Sequence, residues 1–302
     1  MLEILTRAGC FIAIIVLGYA LRRIGFFKAE DFTVLSKIVI KITLPAAIVT
    51  SFAGKEIDPA MLSLALIGLV TGFINIALGW LINLHRGGEE QAFAVVNISG
   101  YNVGNFTVPF VQSFLGPVGV ITASIFDVGN ACIGLGTSYG VASALKGGGR
   151  FSPKTVLRSL SRSVPFLTYI LMLVMNLTHI SVPGPVLSFA EIISGANAFT
   201  AMLMIGVGFK LSGDRSQMGT ILRILTARYG MALVLSLACY FLLPMSHEVR
   251  VAMVVLMFSP IPSTAPPFTA DLKSDVGLAS AVNSFSILCS IVCIVATLLI
   301  LL

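Results

Sequence analysis

Long apolar stretches follow one another along almost the entire chain, separated by short polar connectors. A transmembrane helix needs about 20 consecutive, mostly apolar residues. Ten stretches meet this requirement, at residues 4–24, 33–52, 59–84, 91–115, 117–145, 156–179, 185–211, 219–243, 249–272 and 276–302. The pattern predicts an all-α integral membrane protein with ten transmembrane helices. We expect the first stretch to remain in the protein, because it is long for a cleavable signal peptide and lacks a small-residue cleavage pattern.

The composition excludes a water-soluble fold. Hydrophobic residues make up 57% of the chain and charged residues 11%, whereas soluble domains have roughly 25% charged residues. The five cysteines all lie within apolar stretches, where they are expected to act as small apolar residues. The sequence therefore predicts no disulfide framework, no metal site and no cofactor.

The basic residues predict the orientation in the membrane, and the net charge of +6 is read in that way rather than as a sign of nucleic-acid binding. One set of alternate connectors carries only Arg7, Lys55 and Arg250. The other set, with Lys37 close by, carries Arg22, Arg23, Lys28, Arg86, Lys146, Arg150, Lys154, Arg158, Arg162, Lys210, Arg215, Arg223, Arg228 and Lys273. The positive-inside rule places this second set in the cytoplasm and both termini on the non-cytoplasmic side of the cell membrane. Arg158, Arg162, Arg223 and Arg228 are interpreted as anchors at the cytoplasmic interface.

A basic connector at residues 146–155 divides the ten stretches into five and five. The predicted repeats are residues 1–145 and 156–302. Because each repeat has an odd number of helices, the second is expected to be inverted relative to the first. Inverted repeats of this kind build many secondary transporters.

The fourth stretch of each half is the most heavily interrupted. Residues 97–109 are rich in Asn and Gly, and residues 259–268 contain Pro260, Pro262, Pro266 and Pro267. Proline removes an amide donor and crowds the preceding helical turn, so these segments are predicted to unwind. Weaker breaks are expected in the second stretches, at Pro45 and at residues 195–197. Unwound backbone at membrane depth is tolerated where protein or a watery cavity shelters it, although single proline kinks also occur without any function.

At these segments the chain resembles the auxin efflux carrier family, including its bacterial organic-acid permeases. The residues that carry the resemblance are Asn102 seven positions before Pro109, the turn at 116–119, and Pro262 followed by Pro267 and Phe268. Weaker matches are Gly18-Tyr19 with Arg22 and Gly25-Phe26, Leu44-Pro45 and Ile205-Gly206. The resemblance implies two inverted five-helix repeats whose broken helices 4 and 9 cross, within a superfamily that includes bile acid:sodium symporters. Thr107 departs from the family pattern, which usually has glycine there, so the identity of the substrate does not carry over.

The crossing is the predicted substrate site. Unpaired amides at the start of a half-helix attract an anion, whereas free carbonyls at the end of a half-helix can hold a cation, and the sequence leaves both open. The predicted substrate-binding residues are Asn102, Asn105, Thr107, Pro109, Pro262, Ser263, Thr264 and Pro267.

Three charged residues are candidates for a position deep in the membrane, where a charge costs about 2.5–3.5 kcal/mol near the bilayer centre. Asp127 is expected to gain and lose a proton during transport, or else to make a structural hydrogen bond. Lys41 pairs with Asp127 or attracts the anion, or extends its amine to the surface. Glu191 is a further coupling candidate, unless it lies at the outer interface. Asn130 and Asn283, each in the fifth stretch of its half, complete a cation site or bridge helices.

These features predict a secondary transporter that moves a small organic anion, such as a carboxylate, by alternating access. Gradients supply the energy, since the chain has no ATP-binding loop. Proton coupling or uniport is the first expectation and sodium symport the alternative; a homodimer is compatible with the sequence. A channel would also use unwound backbone. An intramembrane enzyme is disfavoured by the lack of an HExxH pattern or nucleophile–base pair, and a sensor by the lack of a soluble output domain. The substrate and the direction of transport are open.

Overall fold

The computed structural model describes residues 2–147, 152–209 and 217–302. All regular elements in these residues are helical, which confirms the all-α prediction. The α-helices are α1 (Leu2–Arg23), α2 (Asp31–Ile38), α3 (Leu44–Phe52), α4 (Ser63–Leu81), α5 (Gly88–Ile98), α6 (Val108–Cys132), α7 (Ser138–Leu145), α8 (Pro153–Leu160), α9 (Val164–Leu177), α10 (Gly184–Ser194), α11 (Asn197–Gly208), α12 (Met218–Leu242), α13 (His247–Met257), α14 (Ala265–Asp271) and α15 (Val276–Leu301). Part of the predicted connector, residues 148–151, lies outside the described residues, and so do Lys210 and Arg215.

Short irregular helical turns join several of these helices. Wider π-helical turns occur at Val39–Thr43, Val103–Thr107 and Ile133–Thr137, and a 3-10 turn at Pro59–Leu62 precedes α4. The turn at Val39–Thr43 lies just before Pro45, and Gly195 and Ala196 separate α10 from α11. Both weaker breaks predicted from the sequence are therefore present.

Seven helical segments are long and apolar enough to cross a membrane, or eight if the bent pair α8 and α9 is one span. The chain is thus a multi-pass membrane protein. The segment Gly88–Leu145 has 58 residues and would be about 87 Å long as a straight helix. It is interrupted after Ile98 and again at Gly116, whose φ of 57° and ψ of −145° are not helical. The count of ten requires that this segment span twice and that α13 with α14 form a further span. That count, and the inverted relation of the two halves, stay predictions.

The helices pack in two groups, and each group draws on both halves of the chain. In the first, which we call the α1 group, α1 and α2 pack on α11 while α3 packs on α9 and α10. In the second, the crossing group, α4 packs on α5 and α6, α5 on α7, α13 on α6 and α12, and α14 on α15. The two groups meet where α3 contacts α6.

Glycines allow the closest helix contacts within each group. A Cβ atom at Gly206 of α11 would overlap the carbonyl oxygen of Ile15 in α1, and one at Gly129 of α6 would overlap that of Ala65 in α4. Any larger side chain at these positions would separate the helices, so the dense packing of each group depends on them.

Candidate functional site

The two strong breaks predicted from the sequence meet in the crossing group. At the first break, α5 ends at Ile98 and the chain is non-helical until Val103. At the second break, α13 ends at Met257 and α14 begins only at Ala265. The amide of Asn102 donates a 3.0 Å hydrogen bond to the carbonyl of Pro260. The hydroxyls of Thr107 and Ser259 share a 2.6 Å hydrogen bond. The unwound segments therefore contact each other directly through backbone and side chains.

Two of the four prolines lie within the second break, and the other two lie at the start of the helix that follows it. Pro260 and Pro262 lie in the non-helical segment, where they supply carbonyl acceptors but no amide donors. Pro266 and Pro267 lie in the first turn of α14, where a missing amide does not interrupt the helix. Because these two residues cannot donate, the predicted anion-binding amides at this helix start are reduced in number. Donors for an anion must come mainly from side chains and from the first break.

At both breaks, the unwound backbone is hydrogen-bonded by an asparagine from a later helix of the crossing group. The amide of Asn130 in α6 accepts from the backbone nitrogen of Tyr101 and donates to its carbonyl oxygen, both at 2.9 Å. Similarly, Nδ2 of Asn283 in α15 donates to the carbonyls of Ile261 at 2.9 Å and Pro262 at 3.3 Å. Both asparagines thus stabilise unwound backbone, in agreement with the alternative that they bridge helices.

A cavity of about 320 Å³ lies where the crossing faces the α1 group. It is lined by most of the predicted binding residues and by aromatic side chains, namely Asn102, Asn105, Asp127, Asn130, Pro262, Ser263, Thr264, Pro267, Phe32, Tyr101, Phe166 and Tyr169. A second cavity of about 310 Å³ shares Phe32, Asn102, Ser263 and Pro267 with the first and extends to Arg22 and Asn283. The two cavities therefore meet at the crossing.

Polar groups from both breaks converge on Ser263 in the first cavity. Nδ2 of Asn102 donates to the Ser263 hydroxyl at 3.2 Å and Nδ2 of Asn105 at 3.5 Å. Asn105 is 7% exposed, and its Oδ1 has no hydrogen-bond partner among the described residues. A buried amide oxygen without a partner is costly, so this corner of the cavity favours a ligand that can donate a hydrogen bond.

Asp127 of α6 is partly buried and contributes a carboxylate to the cavity wall. Its Oδ1 accepts from Nδ2 of Asn130 at 2.7 Å, and its Oδ2 accepts from the hydroxyl of Tyr169 at 3.0 Å. Both partners are neutral. The carboxyl group is therefore held by hydrogen bonds and is not neutralised by a cation, which leaves its charge dependent on its own protonation.

The predicted pairing of Lys41 with Asp127 is wrong. Ion pairs among the described residues join Arg7 to Glu3, Arg86 to Glu90 and Lys146 to Glu89. Lys41 has an exposed side chain on the Val39–Thr43 turn, because this face of the second span points away from the crossing. The exposure agrees with the alternative that its amine extends toward the surface.

Other predicted residues do not line either cavity at the crossing. Thr107 and Pro109 are buried, and the Thr107 hydroxyl contacts Ser259 and the Asn102 carbonyl. Thr107 thus fastens the two breaks together. Glu191 is exposed on α10.

The prediction that Arg228 is an anchor at the cytoplasmic interface is wrong. Instead of anchoring α12 at the interface, its side chain is 2% exposed. It donates to the carbonyls of Ile98, Gly100, Ser259 and Pro260, at 2.9 Å for Gly100 and Ser259 and 3.2 Å for Pro260. Its guanidinium carbon lies 5.3 Å from the centre of the Tyr101 ring. One side chain therefore bonds both breaks.

The described residues contain no group of three or more His, Cys, Asp or Glu side chains placed to hold a metal ion. The functional groups at the crossing are amides, hydroxyls, aromatic rings, one carboxyl group and one guanidinium. Such a set can bind and orient a small polar solute, and Asp127 can also accept a proton.

Sequence comparison connects this arrangement to known proteins. Residues 10–140 match the family model described as membrane transport protein. The predicted family resemblance is confirmed over this region. The matched region contains the first break, Asn130 and Asp127, so the residues that form one side of the first cavity lie within the family match. The predicted relationship to bile acid:sodium symporters stays a prediction.

The chain is also similar to an uncharacterized transporter of Methanothermobacter thermautotrophicus, with 24% identity over 210 residues. The alignment covers 67% of this chain and 66% of that relative. The chain thus spans slightly less than two thirds of the relative's length in this comparison.

Proposed function

We propose that the chain is a secondary transporter that carries a small organic anion, such as a carboxylate, across the membrane by alternating access. The observation that carries the proposal is the cavity of about 320 Å³ lined by both breaks at once. Broken helices that meet at a shared cavity are the common construction of a transporter substrate site. The family match and the similarity to an uncharacterized transporter support a role in membrane transport.

The cavity lies between the two helix groups, which supports alternating access. Phe32, Phe166 and Tyr169 come from the α1 group, whereas Asn102 and Ser263 come from the crossing group. A movement of one group relative to the other would change the opening of the cavity without unfolding either. The second cavity reaches Arg22 and Ala29, near the α1–α2 connection. The basic residues predict that this connection is cytoplasmic, so the structure corresponds to an inward-facing state in this proposal.

The cavity lining favours a small anion with polar groups. Asn102, Asn105 and Ser263 offer neutral hydrogen-bond donors, and a carboxylate accepts several such bonds. The aromatic side chains of Phe32, Phe166 and Tyr169 limit the size of the ligand and shield it from water. A carboxylate of a few carbon atoms fits this combination.

Asp127 supports coupling to protons. A charged Asp127 would repel a carboxylate in the same cavity, and the described residues place no cation on it. Protonation would remove that repulsion, because like charges in a low-dielectric site strongly oppose each other. We therefore propose that anion and proton bind together and move in the same direction.

Uptake by proteoliposomes tests the function. Purified protein is reconstituted and assayed with a panel of labelled mono- and dicarboxylates, with and without an imposed pH gradient. We expect saturable uptake of at least one acid, and uptake should be faster when the acid is added on the side with the lower pH.

Asn102→Ala should reduce uptake by about tenfold or more, because a buried polar contact with the ligand is worth about 1.5 kcal/mol or more. Asn176→Ala is the matched control, since Asn176 lies in a separate cavity and contacts the loop at Lys55 and Ile57.

Two outcomes would contradict the proposal. Flux that does not saturate with any acid would indicate a channel. Saturable transport of cations or neutral solutes alone would overturn the proposed substrate class.

A further inference from the structure

Arg228 occupies an unusual position for an arginine in an apolar helix. It lies near the middle of α12, lines neither cavity at the crossing, and is almost completely buried. A buried charge is costly unless it is hydrogen-bonded and compensated. The ion pairs of the described residues do not include it. Its charge must therefore be compensated by dipoles.

The carbonyl dipoles that compensate the positive charge of Arg228 come in equal number from the two breaks. Two of its acceptors, Ile98 and Gly100, belong to the first break and two, Ser259 and Pro260, to the second. These carbonyls lie at or just beyond the C-terminal ends of α5 and α13, where the helix dipole is negative. Carbonyls at the ends of broken helices are also the groups that coordinate Na⁺ in many transporters. The guanidinium thus lies where a free cation could otherwise be bound.

The neighbouring carbonyls of the breaks are also used by protein donors. Tyr101 accepts from Asn130, while Ile261 and Pro262 accept from Asn283. The Asn102 carbonyl accepts from the amide and hydroxyl of Thr107. These carbonyls thus already accept from protein donors, and those nearest the helix ends already face a positive charge.

We propose that Arg228 is a built-in cation that fills the carbonyl site between the two breaks, so that the crossing forms without Na⁺ or any other free cation. Arg228 is a positioning residue, because it acts on the breaks and does not line the cavity. Its effect on transport rests on the proposed function, in which the crossing binds the anion. For that transporter, the occupied carbonyl site argues against sodium as the coupling ion.

The first experiment uses the unmodified protein and needs no substrate. Its unfolding temperature in detergent is measured in NaCl, KCl and choline chloride at equal ionic strength. A ligand that binds the folded state raises the unfolding temperature, so we expect the three values to agree. A rise specific to Na⁺ would overturn the proposal. This experiment remains decisive even if no Arg228 variant folds.

The second experiment restores the missing cation chemically. Arg228→Ala removes the side chain beyond Cβ, and the removed part corresponds to ethylguanidinium. We expect the variant to unfold about 5–10 °C lower, because carbonyls of both breaks lose their donor. Millimolar ethylguanidinium should recover part of this loss, while ethylammonium, which lacks the planar fork of donors, should recover less. Arg228→Lys should retain more stability than Arg228→Ala.

The matched control is Arg223→Ala, five positions earlier on α12, at a partly exposed arginine next to Glu90 and Ser274 in a separate cavity. Ethylguanidinium should leave its unfolding temperature unchanged. A folded Arg228→Ala that matches the unmodified protein in stability, or one that ethylguanidinium does not stabilise, would overturn the proposal. In proteoliposomes, equal uptake in sodium and choline media would support it. If no acid is transported while ethylguanidinium still restores Arg228→Ala, the proposed function fails and the assignment of Arg228 stands.

Discussion

The hydroxyl of Tyr169 donates a 3.0 Å hydrogen bond to Oδ2 of Asp127. Tyr169 belongs to α9 in the α1 group, and Asp127 belongs to α6 in the crossing group. The Asp127 carboxylate therefore accepts one hydrogen bond from the crossing group, through Asn130, and one from the α1 group, through Tyr169. In the proposed transporter, the protonation of Asp127 and the contact between the two groups would influence each other.

The first prediction concerns the pH dependence of transport. Asp127→Asn keeps the size of the side chain but removes its charge in the cavity. We expect uptake by this variant to vary by less than about twofold between pH 5.5 and 8, while the unmodified protein varies by about tenfold, the change that one titrating group can give per pH unit. Initial uptake rates at fixed substrate concentration check this.

Asp58→Asn is the control for that prediction, because Asp58 is exposed and caps the turn before α4. Its pH profile should equal that of the unmodified protein. An Asp127→Asn variant with an unchanged profile would remove Asp127 from proton coupling.

The second prediction concerns the support of the breaks. Asn283→Ala removes two donated hydrogen bonds from buried backbone carbonyls and should lower the free energy of unfolding by about 1–3 kcal/mol. Asn130→Ala should cost roughly twice as much, because it also leaves the Tyr101 amide without its acceptor. Thermal unfolding in detergent measures both.

Asn176→Ala again serves as a comparison. It also loses hydrogen bonds to backbone, at Lys55 and Ile57, but these lie in a partly exposed loop where water can replace them. A larger loss of stability for Asn176→Ala than for Asn130→Ala would contradict the role given to the two asparagines.

The third prediction concerns helix contacts within the α1 group. Gly206→Ala should destabilise the protein by about 1–3 kcal/mol, because the new methyl group would overlap the Ile15 carbonyl in α1. Gly230→Ala in α12 should stabilise it by roughly 0.5–1 kcal/mol, because nothing lies near the added Cβ and alanine favours the helix. Thermal unfolding of both variants gives the two signs; equal effects would show that α1 and α11 do not pack as described.

The breaks could be predicted because proline and glycine impose local backbone geometry. Pro260 and Pro262 exclude a regular helix wherever the segment lies, so the interruption at residues 259–268 can be predicted without any knowledge of tertiary structure. Asn130 and Asn283 stand out in the sequence as polar residues at matching positions of the two halves. Their partners could not be chosen from the sequence, since backbone acceptors in the breaks carry no sequence signal.

Residues are harder to predict when their role depends on the direction in which the side chain points. Lys41 lies at membrane depth, but an apolar helix gives little sign of which face meets lipid, because lipid and protein interior are both apolar. Tyr169 could not be assigned for the same reason. Arg228 did carry a signal, since it lies about nine residues inside the predicted span 219–243, or roughly 14 Å at about 1.5 Å per residue. Its depth is comparable with that of Asp127, but a basic residue in a membrane protein is also a topology signal, and the two meanings cannot be separated in the sequence.

The distribution of helices between the two groups has a consequence for the chain as a whole. Most of the packing between the two halves joins α1 to α3 with α9 to α11, and α4 to α7 with α12 to α15. A cut in the connector at residues 146–155 would therefore leave two fragments, each holding an unfinished portion of both groups. Neither fragment could bury its contact surfaces alone, so the packing of both groups is complete only after the last helices have been made and inserted.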